Sequence, residues 1–234
     1  MATFSACVMR IARLSLLLFA CSIFAPAAQA ETESAARGSS HPVILVMGDS
    51  ISAEYGLVRG KGWVALLTQK LAGSHANYQL VNASVSGETT SGGVSRLPAL
   101  LAEHQPAIVI IELGSNDALR GLSLAMSERN LNTMTQAAQD AGATVLIAGM
   151  QIPPNYGPSY TERFKKMFAD VAHQHQAALI PFLLQGIAED TRHFQADTIH
   201  PNEDAQPTLL ANVWRVLEPL LSLPEASPAA LIQQ

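Results

Sequence analysis

The chain has almost no cysteine. Its 234 residues include two, Cys7 and Cys21, and both fall within the first thirty residues. A chain that loses this segment would have no thiol, which excludes a disulfide framework, a thiolate metal site and a cysteine nucleophile. Stability must then come from a buried apolar core, and a chain of this length is large enough to form one.

Positive charge is also scarce. Lys and Arg number 14 against 19 Asp and Glu, the formal net charge is -5, and basic residues form no cluster along the sequence. This balance argues against binding to nucleic acid and against an electrostatic hold on anionic lipid.

Only one segment, near the N terminus, combines a basic start with a longer apolar run. Arg10 and Arg13 precede LSLLLFACSIFAPAA, which is followed by Gln29 and Ala30. This layout, with an A-x-A end, is typical of a secretory signal peptide. The apolar stretch is shorter than the roughly 20 residues of a membrane-spanning helix, and Pro26 interrupts it. We therefore expect cleavage near Ala30 and a periplasmic or secreted protein with no transmembrane span after processing.

The remaining chain predicts one domain. Residues 31–40 are small and polar without periodicity, which is typical of a flexible lead-in. Residues 41–223 show one composition regime and no internal repeat. Residues 224–234 are expected to fray.

From His41 onward, apolar runs of strand length alternate with patterns of helical period. Strands that are apolar on both faces and separated by helices indicate a parallel sheet covered on both sides. The prediction is an α/β fold with three layers, α/β/α, around a mostly parallel five-stranded sheet. The strand candidates are residues 42–47, 78–83, 107–114, 144–150 and 178–183, and the closing helix is expected to start near Asn202.

Several polar residues follow the predicted strands, where open parallel sheets place their sites. Ser50 follows the first strand, Gly87 the second and Asn116 the third, while Asp197 and His200 lie beyond the fifth. Taken one at a time, such residues commonly cap helices or form turns. Together they provide a hydroxyl, an imidazole, a carboxylate and oxyanion donors, which are the four kinds of group that serine hydrolysis requires.

These blocks resemble those of the SGNH (GDSL) hydrolase family. The matching text is GDSIS, the glycine in VSGETTSGG, the G-x-N-D in ELGSNDALRG and the D-x-x-H in ADTIHPN, in the family's order. Text outside these blocks, including PNYGPSY and IHPNEDAQP, resembles the bacterial periplasmic thioesterase I, lysophospholipase L1 and arylesterase group. The resemblance implies a flavodoxin-like SGNH hydrolase fold.

The resemblance also implies a role for each matching residue. Ser50 would be the nucleophile, His200 the base and then the acid, and Asp197 the carboxylate that holds the ring. The N–H groups of Ser50 and Gly87 and the Asn116 side chain would form the oxyanion hole. We expect Ser50 to start a helix, Asp49 to fix the turn before it and Ser52 to point away from the site.

The implied reaction is hydrolysis of carboxylic esters and acyl thioesters through an acyl-enzyme, without metal or cofactor. The expected substrates are small acyl esters, thioesters or lysophospholipids, and the protein is expected to be a monomer. Apolar residues in the loops after the third and fourth strands are candidates for an acyl-binding wall: Leu119, Leu122, Ile152, Pro153 and Tyr156.

Three alternatives remain open from the sequence. The first is a carbohydrate O-deacetylase of the same fold, although Trp63 and Trp214 are the only tryptophans that could form a sugar platform and both fall on predicted helices. The second is a non-catalytic binding module. The third is a metal site formed by His193, Asp197 and His200.

Overall fold

A computed structural model describes residues 41–221 of the chain. The predicted signal peptide at 1–30, the lead-in at 31–40 and the tail at 224–234 lie outside the described residues, so these expectations stay predictions. Among residues 41–221, no helix is both long enough and apolar enough to cross a membrane.

The five predicted strands form one parallel sheet, which confirms the predicted fold class. The strand order is β2-β1-β3-β4-β5, and each neighbouring pair is parallel. The strands are β1 (Val43–Gly48), β2 (Gln79–Asn82), β3 (Ile108–Glu112), β4 (Thr144–Ala148) and β5 (Ala178–Ile180).

Six α-helices in the described residues form two groups around the sheet. They are α1 (Trp63–Ser74), α2 (Thr90–His104), α3 (Ser115–Leu119), α4 (Leu124–Asp140), α5 (Pro158–His175) and α6 (Gln206–Leu221). The first group pairs α1 with α6, and in the second α4 packs against both α2 and α5. These contacts give the predicted three layers.

The central strands are buried because helices cover both of their faces. The β1 residues from Ile44 to Met47 are fully buried, and so is nearly all of β3. Trp63 on α1 and the edge-to-face pair Phe164 and Phe168 on α5 are among the largest buried side chains. A continuous apolar strand has no solvent-facing side, which explains why VILVM and IVII lack an alternating pattern.

The expectation that Ser50 starts a helix is wrong. Residues 50–56 form a series of turns, and the first helix begins at Trp63. The cause is local, because Glu54, Gly56 and Gly60 have φ values of 60°, 70° and 85°, which a right-handed helix does not contain. Ser50 therefore gains no help from a helix dipole.

The closing helix also begins later than predicted. Asn202 accepts a hydrogen bond from the N–H of Ala205 and caps a 3-10 turn over Glu203–Ala205, after which α6 starts at Gln206. The sequence pattern near Asn202 therefore corresponds to the cap of this 3-10 turn, and asparagine is common at such cap positions.

The strand order places the site at a topological switch point. From β1 the chain moves to one side to form β2 and then returns across β1 to form β3. The two connections diverge at the carboxyl ends of β1 and β3, which leaves a crevice there. Ser50 follows the first of these strands and Asn116 follows the second.

Candidate active site

Ser50, His200 and Asp197 form one hydrogen-bonded line. The Nε2 atom of His200 lies 2.9 Å from Oγ of Ser50, and Nδ1 of the same ring lies 2.7 Å from Oδ2 of Asp197. Both distances are within the range for proton transfer and for orientation of the ring. Residues 150 positions apart are thus brought together in the arrangement of a serine hydrolase triad.

The loop that carries His200 is built to hold its ring. Oδ1 of Asp197 accepts the N–H groups of Ile199, at 2.9 Å, and of His200, at 3.0 Å. The N–H of Gln195 donates to the carbonyl of His200 at 2.8 Å, and Phe194 pairs with Pro201 as an antiparallel bridge. The carboxylate therefore orients both the backbone and the side chain of the histidine.

These contacts keep Asp197 ionised. Desolvation opposes its charge, but the N–H groups of His200 and Ile199 and the His200 ring outweigh it and lower the pKa of Asp197 to about 2. A carboxylate at Nδ1 favours the tautomer with a proton on Nδ1, which leaves Nε2 free to accept the proton of Ser50.

Tyr55 packs against the catalytic imidazole, a contact that the sequence did not indicate. Its ring centroid lies 4.5 Å from that of His200, with the planes tilted by 40°. The side chain amide of Gln195 donates to the carbonyl of Tyr55 at 2.8 Å and ties the two loops together. Half of the Tyr55 residue remains exposed.

Two of the candidate oxyanion donors, Gly87 and Asn116, lie in the segments that follow β2 and β3. Gly87 has a φ of 80°, a conformation that glycine adopts without strain, and its carbonyl accepts a hydrogen bond from Nη2 of Arg120 at 2.9 Å. Asn116 lies in the first turn of α3, and its Nδ2 donates to Oδ2 of Asp49 at 3.0 Å. Asparagine donates without carrying a charge, so it suits a position beside a developing oxyanion.

A second buried network holds α3 in place. Both carboxylate oxygens of Asp117 accept hydrogen bonds, from the N–H and Oγ1 of Thr90 at 2.9 and 2.5 Å and from Oγ of Ser127 at 3.0 Å. Because Thr90 begins α2 and Ser127 lies on α4, Asp117 joins three helices directly beside Asn116.

Two carboxyl groups are buried beneath Ser50. The Oδ1 atom of Asp49 accepts the N–H of Ile51 at 3.0 Å, which supports the expectation that Asp49 fixes the turn. Glu112 lies at the end of β3. Its Oε2 atom accepts hydrogen bonds from Oγ of Ser52, at 2.7 Å, and from the N–H of Asp49, at 3.2 Å. Its Oε1 atom is buried and has no hydrogen-bond partner among the described residues.

Burial disfavours the charged form of both carboxyl groups. Burial raises the pKa of Glu112 well above its ordinary value, and the charge of Asp49 raises it further. Burial also raises the pKa of Asp49, to about 6, although the Ile51 N–H and the Asn116 amide lower it in part. Both oxygens of Asp49 accept hydrogen bonds, from the Ile51 N–H and the Asn116 amide, whereas Oε1 of Glu112 has no donor among residues 41–221, so we assign the proton to Glu112 and the charge to Asp49.

Glu112→Gln should flatten the pH dependence of stability. A folded-state pKa above the unfolded one makes the native state retain a proton that the unfolded chain releases, so stability falls as pH rises towards the folded pKa. This group should therefore lower the wild-type free energy of unfolding between about pH 5 and about pH 7, which lies above the ordinary pKa of about 4.3 that an unfolded glutamate has. Glutamine has no proton to release, so this contribution should vanish.

Urea denaturation of both proteins at the two pH values measures the difference. Glu218→Gln, at an exposed position on α6, is the matched control and should keep the wild-type slope. A Glu112→Gln protein that loses stability with pH as steeply as the wild type would show that Glu112 is already ionised.

A cavity of about 580 Å³ lies beside α3 and contains two of the five predicted acyl-binding residues. Leu122 and Tyr156 line it, whereas Leu119, Ile152 and Pro153 do not, and neither Ser50 nor His200 forms part of its wall. Tyr160 also lines the cavity, and its hydroxyl lies 3.3 Å from the carbonyl of Leu122 and 3.4 Å from that of Ala118.

The alternative metal set is not assembled. Among residues 41–221, no three His, Asp or Glu side chains come close enough together to hold a metal ion. Asp197 and His200 are bonded to each other and to Ser50, while Nε2 of His193 lies 4.0 Å from Asp190 instead.

Comparison with known proteins identifies relatives over most of the chain. Residues 46–206 match the model of the GDSL-like lipase/acylhydrolase family. The esterase TesA of Pseudomonas aeruginosa is 54% identical over 178 residues, which is 76% of this chain and 89% of that relative. The thioesterase 1/protease 1/lysophospholipase L1 of Escherichia coli K12 is 37% identical over 186 residues, covering 80% of this chain and 88% of the relative.

A solved structure of an esterase has a similar fold. The psychrotrophic esterase EstA of Pseudoalteromonas sp., in a structure inhibited by monoethylphosphonate, superposes with a TM-score of 0.73. It is 38% identical, and the match covers 77% of this chain and 99% of that one.

Proposed function

The chain belongs to the GDSL-like lipase/acylhydrolase family, and we propose that it hydrolyses carboxylic esters and acyl thioesters through an acyl-enzyme on Ser50. The observation that carries this proposal is the unbroken line from Asp197 through His200 to Oγ of Ser50, at 2.7 and 2.9 Å. A binding module on this fold would have no need for such an alignment.

In the first half of the reaction, Oγ of Ser50 attacks the acyl carbon while Nε2 of His200 takes its proton. The negative charge that forms on the acyl oxygen is stabilised by the N–H groups of Ser50 and Gly87 and by the Asn116 amide. His200 then gives its proton to the departing alcohol or thiol, and Ser50 holds the acyl group as an ester. Asp197 stays ionised and stabilises the imidazolium.

In the second half, water takes the place of the alcohol. His200 removes a proton from the water as it attacks the acyl-enzyme, and the same donors bind the second oxyanion. The proton returns to Oγ of Ser50, and the carboxylic acid leaves. Tyr55 packs against the imidazole and the Asp49 carboxylate holds Nδ2 of Asn116, so both key groups are oriented before substrate binds.

The substrate is proposed to carry an acyl chain longer than acetyl. The cavity beside α3 presents Leu122 and Tyr156, and the relative from E. coli is named as both a thioesterase and a lysophospholipase. If the protein is exported, acyl-CoA is absent from its compartment, so a lysophospholipid or an incoming ester is the more plausible physiological substrate.

Nothing in the structure favours the carbohydrate O-deacetylase. Trp63 is fully buried in the core, and Trp214 lies on α6 beneath the ammonium group of Lys70, 4.4 Å from the ring centroid. Neither tryptophan therefore offers a sugar-stacking surface beside Ser50.

A chain-length series should separate the two activities. We expect hydrolysis of nitrophenyl esters with acyl chains beyond two carbons and of the matching thioesters, because an apolar wall gains affinity with each methylene. Acetylated xylan should not be a substrate. The measurement compares kcat/KM across both series, with Ser50→Ala as a blank for hydrolysis that the site does not catalyse. Activity confined to acetyl groups on xylan would refute the proposed specificity.

We also propose that the protein is a monomer that reaches the periplasm or the medium after removal of residues 1–30. The observation that supports export is the leader pattern in the sequence, with Arg10 and Arg13 before an apolar run that ends near Ala30. N-terminal sequencing and sedimentation velocity of the exported protein test the two statements separately.

A further inference from the structure

The large apolar side chains that remain exposed among residues 41–221 are concentrated at one edge of the sheet. Each is between 40% and 63% exposed, and each lies in a segment that follows the carboxyl end of a strand. We call this set the mouth rim: Tyr55, Val58, Val85, Leu122, Met126, Tyr156 and Ile199.

The position of the mouth rim links it to the catalytic residues. Tyr55 packs against His200, and Ile199 precedes that histidine in the chain. Leu122 and Tyr156 line the cavity beside α3. All five connections that leave the carboxyl edge contribute a member, and in the described part of the chain the opposite edge contributes none. A set of exposed apolar groups around a site marks a binding surface.

Unpaired arginines accompany the rim on the side of the cavity. Arg163 lines the cavity with Leu122 and Tyr156, and Nη2 of Arg129 lies 3.6 Å from Sδ of Met126. Arg120 donates to the carbonyl of Gly87. Within residues 41–221, none of these three arginines has a carboxylate within 4.0 Å. Their guanidinium groups therefore remain available to an external anion.

The charge around the rim is not uniform. Glu128 and Glu162 are neighbours of these arginines in sequence, and the segment before α6 carries Asp190, Glu203 and Asp204. Asp190 is paired with Arg192, and Glu203 accepts the N–H of Val58, so part of this negative charge is already engaged. The positive charge that is not paired with a carboxylate thus lies beside the cavity. The sequence shows no basic cluster because the three arginines come from separate turns of the fold.

We propose that the mouth rim docks the protein on a phospholipid bilayer. Its apolar side chains would enter the boundary between headgroups and acyl chains, and Arg129 and Arg163 would meet lipid phosphates. The proposal rests on the proposed function, because an acyl chain that leaves a lipid surface could then pass into the cavity without crossing water. Valine, methionine and tyrosine flanked on one side by arginine match this boundary better than they match a uniformly polar partner.

Vesicle sedimentation tests the apolar part of the surface. The processed protein, free of its apolar leader, is mixed with vesicles of phosphatidylethanolamine and phosphatidylglycerol. The double variant Val58→Asp, Met126→Asp should bind at least about tenfold more weakly, because two charged groups would have to enter the boundary. Its hydrolysis of a short, water-soluble ester should stay at the wild-type level, which shows that the fold is intact.

A matched control separates position from charge. Ala102→Asp combined with Ala169→Asp adds the same two carboxylates at exposed positions in the C-terminal halves of α2 and α5. This variant should bind vesicles as the wild type does. Equal binding by the rim variant, or a wild-type protein that stays in the supernatant, would overturn the proposal. Self-association through the rim without vesicle binding would also overturn it and would identify a second copy as the occupant.

A separate binding measurement tests the role of the arginines beside the mouth rim. Arg129→Ser should weaken binding to vesicles that contain phosphatidylglycerol by about fivefold, since one basic residue near an anionic surface contributes on that scale. Lys70→Ser, towards the opposite edge on α1, should have no such effect. Equal weakening by both variants would refute a specific role for the rim arginine.

Failure of docking can be distinguished from failure of the proposed function. Ser50→Ala should bind vesicles like the wild type while hydrolysing nothing. A wild-type protein that binds vesicles but hydrolyses no ester would refute the proposed function and support the docking surface. A wild-type protein that hydrolyses esters but does not bind vesicles would refute the docking surface and support the proposed function.

Discussion

Ser50→Ala is expected to lower kcat/KM for a nitrophenyl ester by a factor on the order of 10⁴ to 10⁶, as removal of a triad nucleophile does elsewhere. The line from Asp197 through His200 ends at this hydroxyl, because Nε2 of His200 lies 2.9 Å from Oγ. Without it no acyl-enzyme forms. What remains is the slow attack of water assisted by the oxyanion donors.

The folding of this variant should be unchanged. Oγ of Ser50 makes its hydrogen bond to His200, whereas the buried contacts beneath it belong to Asp49, Ser52 and Glu112. Urea denaturation should therefore give the wild-type midpoint. Ser86→Ala, an exposed serine in the loop that carries Gly87, is the control and should retain full activity. Substantial activity in Ser50→Ala, or an equal loss in the control, would remove Ser50 from its assigned role.

Asn116→Ala is expected to lower kcat by about 10² to 10³ while changing KM little, because an oxyanion donor acts on charge that develops only in the transition state. Its amide is already oriented by the carboxylate of Asp49, at 3.0 Å, before substrate binds. Asn116→Asp should be at least as damaging, since a carboxylate accepts hydrogen bonds and repels an oxyanion.

Steady-state kinetics on the same ester measure this effect. Asn77→Ala, at an exposed position before β2, should leave both constants unchanged. A rise in KM with an unaltered kcat would assign Asn116 to substrate binding rather than to the oxyanion hole.

The strands of the sheet and the polar residues that follow them could be predicted from local patterns in the sequence. Five apolar runs separated by helical patterns indicated the sheet, and the residues that follow those runs indicated Ser50, Gly87, Asn116, Asp197 and His200. Parallel strands bring their carboxyl ends to one edge, and Ser50, His200 and Asp197 do lie in one hydrogen-bonded line there. The roles of Gly87 and Asn116 as oxyanion donors stay predictions.

The errors concern backbone geometry that has no periodic signal. A helix at Ser50 was expected from the usual capping role of GDS, but Glu54 adopts a left-handed conformation and the chain forms turns up to Trp63. A glutamate in this conformation is held by its carboxylate, which accepts the N–H groups of Gly60 and Gly62. These hydrogen bonds join residues that are six and eight positions apart, and neither a helical nor a strand pattern in the sequence predicts them.

Residues that act through tertiary contacts were missed for a similar reason. Glu112 is the last residue of an apolar strand, IVIIE, and a terminal glutamate usually reaches solvent. Its burial follows only when the turn after β1 covers it. Tyr55 and Tyr160 likewise gain their contacts from loops distant in sequence, and so does Arg120.

The central claim is that one serine, Ser50, carries the acyl group, and covalent labelling tests it most directly. The protein is treated with a nitrophenyl phosphonate ester, which transfers its phosphonyl group to an activated hydroxyl and releases nitrophenol, and is then examined by intact and peptide mass spectrometry. We predict one adduct per chain, on Ser50, with complete loss of activity and no labelling of Ser50→Ala. An adduct on another residue, or full activity in the fully labelled protein, would contradict the account.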